Sequence, residues 1–191
     1  FLQSVLRDKL ILVQPFSSSK HRSGIHTTLK QSLVSLYQKH GIRSVIITHS
    51  SDGATNVMWD NIPGSLYLRD LDVRAIAGVM VHCDLVLCPD SSILHLAGCL
   101  DMPTVSLFGP TPPESRINHY RNAVAISEAK FGPCHCWYTS HACPIRMACW
   151  QAITPDMIVD KCIEHLQNTS RVNIQSLLDR TQPIEIETEV I

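Results

Sequence analysis

Apolar and polar positions alternate in blocks along this chain. Residues 10–16 form an apolar run that stops at Pro15 and a serine cluster, the pattern of a buried strand ending in a loop. From Ile25, the positions Leu29, Leu33, Leu36 and Tyr37 keep helical spacing, and Gly41 stands where a helix closes in the left-handed conformation. Residues 43–48 then read as a second buried strand, and the alternation repeats. A short strand over 65–68 precedes a helix over 72–82, with Val73, Ile76, Ala77 and Met80 on one face and Asp72 as its N-cap. A β-branched run over 84–88 leads past Asp90 into a helix ending near Leu100, and residues 103–108 return as a strand. Residues 122–126 add one more strand, and Thr154-Pro155-Asp156 opens a helix to about Gln167, with Met157, Ile158, Cys162, Ile163 and Leu166 on its apolar side.

Strands that alternate with helices call for right-handed crossovers and a parallel sheet covered on both faces, so the expected class is α/β. Without repeats or a low-complexity linker, residues 1–168 read as one domain. Residues 169–191 read as a tail, with a short helix over 172–178 and then Glu185, Glu187 and Glu189 alternating with apolar residues.

Composition narrows the function classes. With 191 residues, 45% of them hydrophobic and 17% charged, the chain can bury a continuous core. The formal charge of −1 and the scattered Lys and Arg supply no field to gather nucleic acid or anionic lipid, so no nucleic-acid partner is expected. No apolar stretch reaches the roughly 18 to 20 residues that cross a bilayer, and Arg7, Asp8 and Lys9 interrupt the first one.

In open parallel sheets ligands bind beyond the carboxyl ends of the strands, which directs attention to four places. They are Ser17-Ser18-Ser19-Lys20, the segment from Thr48 through Gly53, Pro89-Asp90-Ser91-Ser92, and Gly109-Pro110-Thr111. Hydroxyls and small residues let backbone N–H groups approach an oxyanion, and Lys20 adds a charge, so the chemistry points to phosphate without a Walker loop. Within the third, a strand runs in and a helix begins, so unpaired amides of its first turn face the crevice. His95 lies one turn from Ser91 and is within reach of a phosphate or sugar hydroxyl over that helix end. The plainer reading makes Asp90 or Ser91 an N-cap and His95 a hydrogen-bonded core histidine.

Residues 83–97, carrying Asp90-Ser91-Ser92 and His95-Leu96-Ala97, followed by Phe108-Gly109-Pro110-Thr111, resemble glycosyltransferase family 9, the ADP-heptose heptosyltransferases. Pro15 through Lys20 is similar to that family's hydroxyl-rich loop with its phosphate-binding lysine, and the resemblance spans roughly residues 10–167. It implies a Rossmann-like sheet, the C-terminal half of a GT-B type glycosyltransferase, holding a nucleoside-diphosphate sugar such as ADP-heptose. On that resemblance Ser17, Ser18, Lys20, Ser91, Ser92 and His95 hold the diphosphate, Asp52 faces the ribose, and Asp90 orients the loop or touches the sugar. The implied acceptor is a saccharide or glycolipid such as lipopolysaccharide core, in a cytoplasmic enzyme peripheral at the inner membrane. The general base for inverting transfer comes, in that family, from an N-terminal acceptor domain, so the chain is expected to be a fragment, a processed product or one half of a split gene. Ser92 departs from the family's usual glycine, and its side chain either narrows the approach of a phosphate or offers it a hydroxyl.

Cysteine usage leaves alternatives. Cys83, Cys88, Cys99 and Cys162 stand in apolar or helical surroundings and read as buried thiols. Cys134, Cys136, Cys143 and Cys149, with His135 and His141 nearby, are ligand types that zinc accepts, but the spacing matches no standard ribbon. Reduced packing thiols are the expectation and no metal is assigned, with zinc or a redox-labile disulfide as alternatives. A non-catalytic nucleotide-sugar-binding or regulatory module, and a zinc-organised interaction domain, are the rival functions.

Overall fold

A computed structural model of the chain describes residues 6, 8–17, 25–50, 59, 61–128, 130, 143–170, 172 and 175. Among them the strands are β1 (Leu10–Val13), β2 (Arg43–Thr48), β3 (Ser65–Arg69), β4 (Leu85–Pro89), β5 (Thr104–Phe108) and β6 (Ala123–Ser127). The helices are α1 (His26–His40), α2 (Val73–Met80), α3 (Ser92–Cys99), α4 (Glu114–Ile117), α5 (Ala148–Gln151) and α6 (Pro155–Asn168). All pairings are parallel, in the order β3-β2-β1-β4-β5-β6. The chain winds outward from β1 to β3, then crosses back to lay β4 on the other side of β1, with Leu12 opposite Val86 and Val13 opposite Leu87.

The period of two along each strand divides the core between the faces. Ile11, Val13, Ile46, Leu85, Leu87, Val105 and Leu107 meet Leu29, Leu33 and Leu36 of α1 and Ile158, Val159, Cys162 and Leu166 of α6. Leu12, Val45, Ile47, Val86 and Cys88 meet Met80 of α2 and Ile93, Leu94 and Ala97 of α3. This is the α/β Rossmann-like sheet, with helices on both faces, that the alternation implies.

Local signals act where the sequence put them. Gly41 closes α1 at φ 71°, and its N–H reaches the carbonyls of Leu36 and Tyr37. Asp72 caps α2 by accepting from the amides of Arg74 and Ala75, and Thr154 caps α6 by accepting from Met157. One expectation about burial is corrected, that of Cys99. Tyr37 and Val73 keep the helical period and are 39% and 62% exposed. Cys99 is exposed, because two residues past buried Ala97 is about 200° around the helix. Of the expected tail only Thr169, Ser170, Val172 and Gln175 fall among the described residues.

At the amino-terminal end of the strands, Asp84 clips β1 to β4, accepting from Lys9 Nζ at 3.0 Å and from the Leu10 amide at 2.9 Å. Its side chain is 6% exposed. Asp84→Ala leaves that amide without its acceptor, and a loss of about 1 to 3 kcal/mol is expected. A urea midpoint lowered at unchanged slope would register it, and an unchanged midpoint would remove the clip from the account of stability.

Candidate functional site

The switch in strand order opens a crevice above the carboxyl ends of β1 and β4, where two crossovers leave in opposite directions. β4 delivers Asp90 and Ser91 there, and α3 starts at Ser92. Ser91 is extended at φ −148° and ψ 173°, and its hydroxyl does not cap the helix, so no N-cap side chain takes up the amides of the first turn. From β1, Ser17 Oγ donates to the Asp90 carbonyl at 2.9 Å, tying the two loops together.

Buried polar atoms without partners mark this region. Among the described residues Ser91 Oγ, Thr111 Oγ1 and Gln14 Oε1 are buried and find no hydrogen bond. The group close to Ser91 Oγ that bears on it is the Cys88 thiol, whose pKa the hydroxyl acts to lower. Ser91 follows β4, Thr111 follows β5 and Gln14 follows β1, and Ser91 and Thr111 are 7% and 1% exposed. A buried hydroxyl left unpaired costs about 1 to 3 kcal/mol, so orphans at three adjacent strand ends are groups that a polar ligand would satisfy.

Beside them lies a cleft of about 190 Å³ with an apolar floor of Phe16, Ile47, Ile76 and Ile93 and a polar rim that includes Ser17, Thr48, His49 and Ser92. Phe16 is braced by His26 at 4.9 Å and by the edge of buried Trp59 at 6.1 Å. The ends of β2 and β3 continue the rim: Thr48 Oγ1 and Tyr67 Oη lie 2.6 Å apart, and the Ser50 amide donates to Asp70 Oδ1 at 2.6 Å. That backbone donation, with His49 and Arg69 adding positive charge, holds the Asp70 carboxyl below its usual range. A larger concavity of about 500 Å³, around Tyr37, Gly41 and Arg43, opens at the opposite end of the strands, where the sheet directs no helix amides.

Ser17, Asp90, Ser91 and Ser92 are therefore brought together, with Ser92 exposed at the mouth of the cleft. His95 is half-buried, and its Nδ1 lies 2.7 Å from Tyr120 Oη. Burial, with Cys99 adding to it, pushes the Tyr120 phenol up, so it stays protonated. If that phenol donates to Nδ1, the proton of neutral His95 sits on Nε2. Ser18, Lys20 and Asp52 lie outside the described residues, as do Cys134, Cys136, His135 and His141. Cys143 and Cys149 are described: Cys143 Sγ accepts from the Met147 amide at 3.2 Å, and Cys149 is 1% exposed in the core. Among the described residues no group of three or more His, Cys, Asp or Glu is arranged to hold a metal ion.

A family model for glycosyltransferase family 9 (heptosyltransferase) matches residues 26–142. The chain belongs to glycosyltransferase family 9. Solved structures agree on the fold. An Escherichia coli ADP-heptose lipopolysaccharide heptosyltransferase II superposes with a TM-score of 0.66 at 16% identity, covering 84% of this chain and 47% of that one. The E. coli heptosyltransferase WaaC with ADP gives 0.62 at 14% identity, covering 85% and 45%. The iron-containing dodecameric glycosyltransferase TibC from enterotoxigenic E. coli gives 0.63 at 18%, covering 84% and 47%. The chain spans about half the length of these structures, and its sheet corresponds to one Rossmann-like half of the GT-B architecture. No curated protein matches it.

Two features of this family 9 chain escape the sequence reading. Thr111 sits in a motif that the sequence does single out, yet only the structure shows its hydroxyl buried without a hydrogen bond. Arg116 carries no local signal at all: α4 brings its Nε to 3.6 Å from Asp90 Oδ2, across from another strand end.

Proposed function

We propose that this chain binds a nucleoside-diphosphate sugar at the β1/β4 crevice and acts as the donor half of an inverting glycosyltransferase, with ADP-heptose as donor and a saccharide or glycolipid as acceptor. The observation that carries the reading is the start of α3 at the switch point, its first turn not capped by a side chain, with the buried hydroxyls of Ser91 and Thr111 beside it. Oriented amides and hydroxyls suit a diphosphate oxyanion, and they also stabilise that group as it departs. The neighbouring structures crystallised with ADP or ADP-D-β-D-heptose support the choice of nucleotide.

In this reading Ser17, Ser18 and Lys20 approach the diphosphate from the β1 loop and Ser91, Ser92 and His95 from α3, while Asp52 faces the ribose and Asp90 orders the loop. The acceptor's proton leaves to a carboxylate that these residues do not supply. No metal takes part in the departure of the diphosphate.

Lys20→Ala removes a charge-assisted contact and is expected to weaken ADP binding by about 1.5 to 3 kcal/mol, roughly 10- to 100-fold. Isothermal calorimetry with ADP measures it. Equal affinities for variant and wild type would take Lys20 out of the site, and no binding by the wild type would end the donor-half reading.

For the cysteine segment, purified reduced chain is expected to carry substoichiometric zinc and to keep its circular dichroism in excess chelator, because a structural zinc site unfolds when the metal is stripped. One metal per chain by elemental analysis, with collapse of the spectrum on chelation, would instead favour the zinc-organised domain.

A further inference from the structure

The first turn of α3 is the positive end of a helix, yet Asp90 lies two positions before it, on the side of β4 that faces β5 and α4. Its side chain is 3% exposed. A carboxylate at that place opposes an incoming diphosphate and cancels the field that the helix amides would present to it. Arg116 answers this charge. It projects from α4, just after the Gly109-Pro110-Thr111 turn, with its Nε 3.6 Å from Asp90 Oδ2 and its side chain 28% exposed. One end of the ion pair is thus inside the protein while the Arg116 side chain stays partly exposed.

We infer that Arg116 is a positioning residue of the donor site, which neutralises the buried Asp90 carboxylate so that the α3 amides and the Ser91 and Thr111 hydroxyls receive a dianionic diphosphate. The inference rests on the nucleoside-diphosphate reading and deepens it. Three strand ends are coupled through Asp90: Ser17 of the β1 loop donates to its carbonyl, β4 carries it, and the β5 loop delivers Arg116 to its side chain. The carboxylate in turn fixes the guanidinium, which keeps the β5 turn and Thr111 against the crevice. Arg116 acts on the ligand through the charge it cancels, and its effect therefore depends on Asp90 being ionised.

That dependence supplies the test. In the 191-residue chain, Arg116→Gln is expected to raise the Kd for ADP, measured by calorimetry, at least tenfold, equivalent to about 1.4 kcal/mol. Arg116→Lys keeps a charge and is expected to recover most of that loss. In the Asp90→Asn background, Arg116→Gln is expected to change the Kd less than about threefold, because the charge it would unmask is gone. A direct contact of Arg116 with the phosphate, or a purely structural role, predicts the same tenfold loss in both backgrounds, and that result would overturn the inference. Should Arg116→Gln alone fail to fold, the double variant is compared with Asp90→Asn: equal affinities support the inference and a tenfold gap overturns it. A wild-type chain that binds no ADP strikes the donor reading itself, whereas wild-type binding with additive substitutions strikes only the role of Arg116.

Discussion

Trp150→Ala is expected to lower the stability of the chain by about 3 to 5 kcal/mol, the range for removing a large aromatic from a packed core. Trp150 is 1% exposed and lies in the cluster beneath β5 and α6. Its indole also forms the seat of the β5 turn. A Cβ placed on Gly109 would stand 2.4 Å from Trp150 Cε2 and 2.5 Å from Nε1, far inside contact distance. Gly109→Ala must therefore displace either a buried ring or the turn that carries Thr111 and leads to Arg116, at an expected cost of about 1 to 3 kcal/mol. The two changes share one contact, so they should not add. In a Trp150→Leu background the Gly109→Ala penalty is expected to fall below about 0.5 kcal/mol, and urea melts of the four chains give the cycle. Additive costs would mean that the turn does not rest on the indole. The glycine of the Gly109-Pro110-Thr111 motif is thus required by close approach of a core side chain, which links the packing of α5 to the shape of the crevice.

That link was closed to sequence reasoning, although the frame around it was legible. Residues 43–48 read as a strand and the structure has β2 at Arg43–Thr48, because five of those six positions are buried and the run has no helical alternative. α1 was readable from its leucine spacing and Gly41, and α6 from Thr154 and Pro155, since caps and periods are local chemistry. α4 and α5 were not, because four residues hold no period. The phosphate-like loops were visible as hydroxyl-rich segments after strands, and Ser17, Asp90, Ser91 and Ser92 do converge. Their convergence follows from the sheet order, which the sequence does not spell out. Arg116 and Thr111 acquire their significance only when β4 and β5 lie side by side, and the Tyr120 partner of His95 comes from the connection into β6. Pairings of this kind join residues far apart in the chain, where composition and spacing carry no signal.

Alkaline pH should expose a second reserve of stability that the crevice shares with the core. Burial pushes the Cys88 thiol up to about 12, against the weaker opposing effect of the nearby Ser106 and Ser91 hydroxyls, and burial alone does the same to Cys162. In the unfolded chain both thiols return to the ordinary thiol value of 9.0. Below that value they are neutral in both states and their full stabilisation is present; as pH rises from 9 toward 12 only the unfolded chain releases the protons, so the folded state loses ground. Each thiol contributes a slope of about 1.4 kcal/mol per pH unit across that window. Cys162→Ala is expected to make the decline shallower by that amount, and parallel declines would show that the thiol does not ionise on unfolding. Iodoacetamide at about pH 8 should label exposed Cys99 in the native chain while sparing Cys88 and Cys162 until the chain unfolds. Native labelling of Cys88 at the rate of Cys99 would refute its burial as a neutral thiol. The outcome bears on the site, because the Ser91 hydroxyl is among the groups that act on Cys88. Held protonated at neutral pH, its thiol is a poor nucleophile.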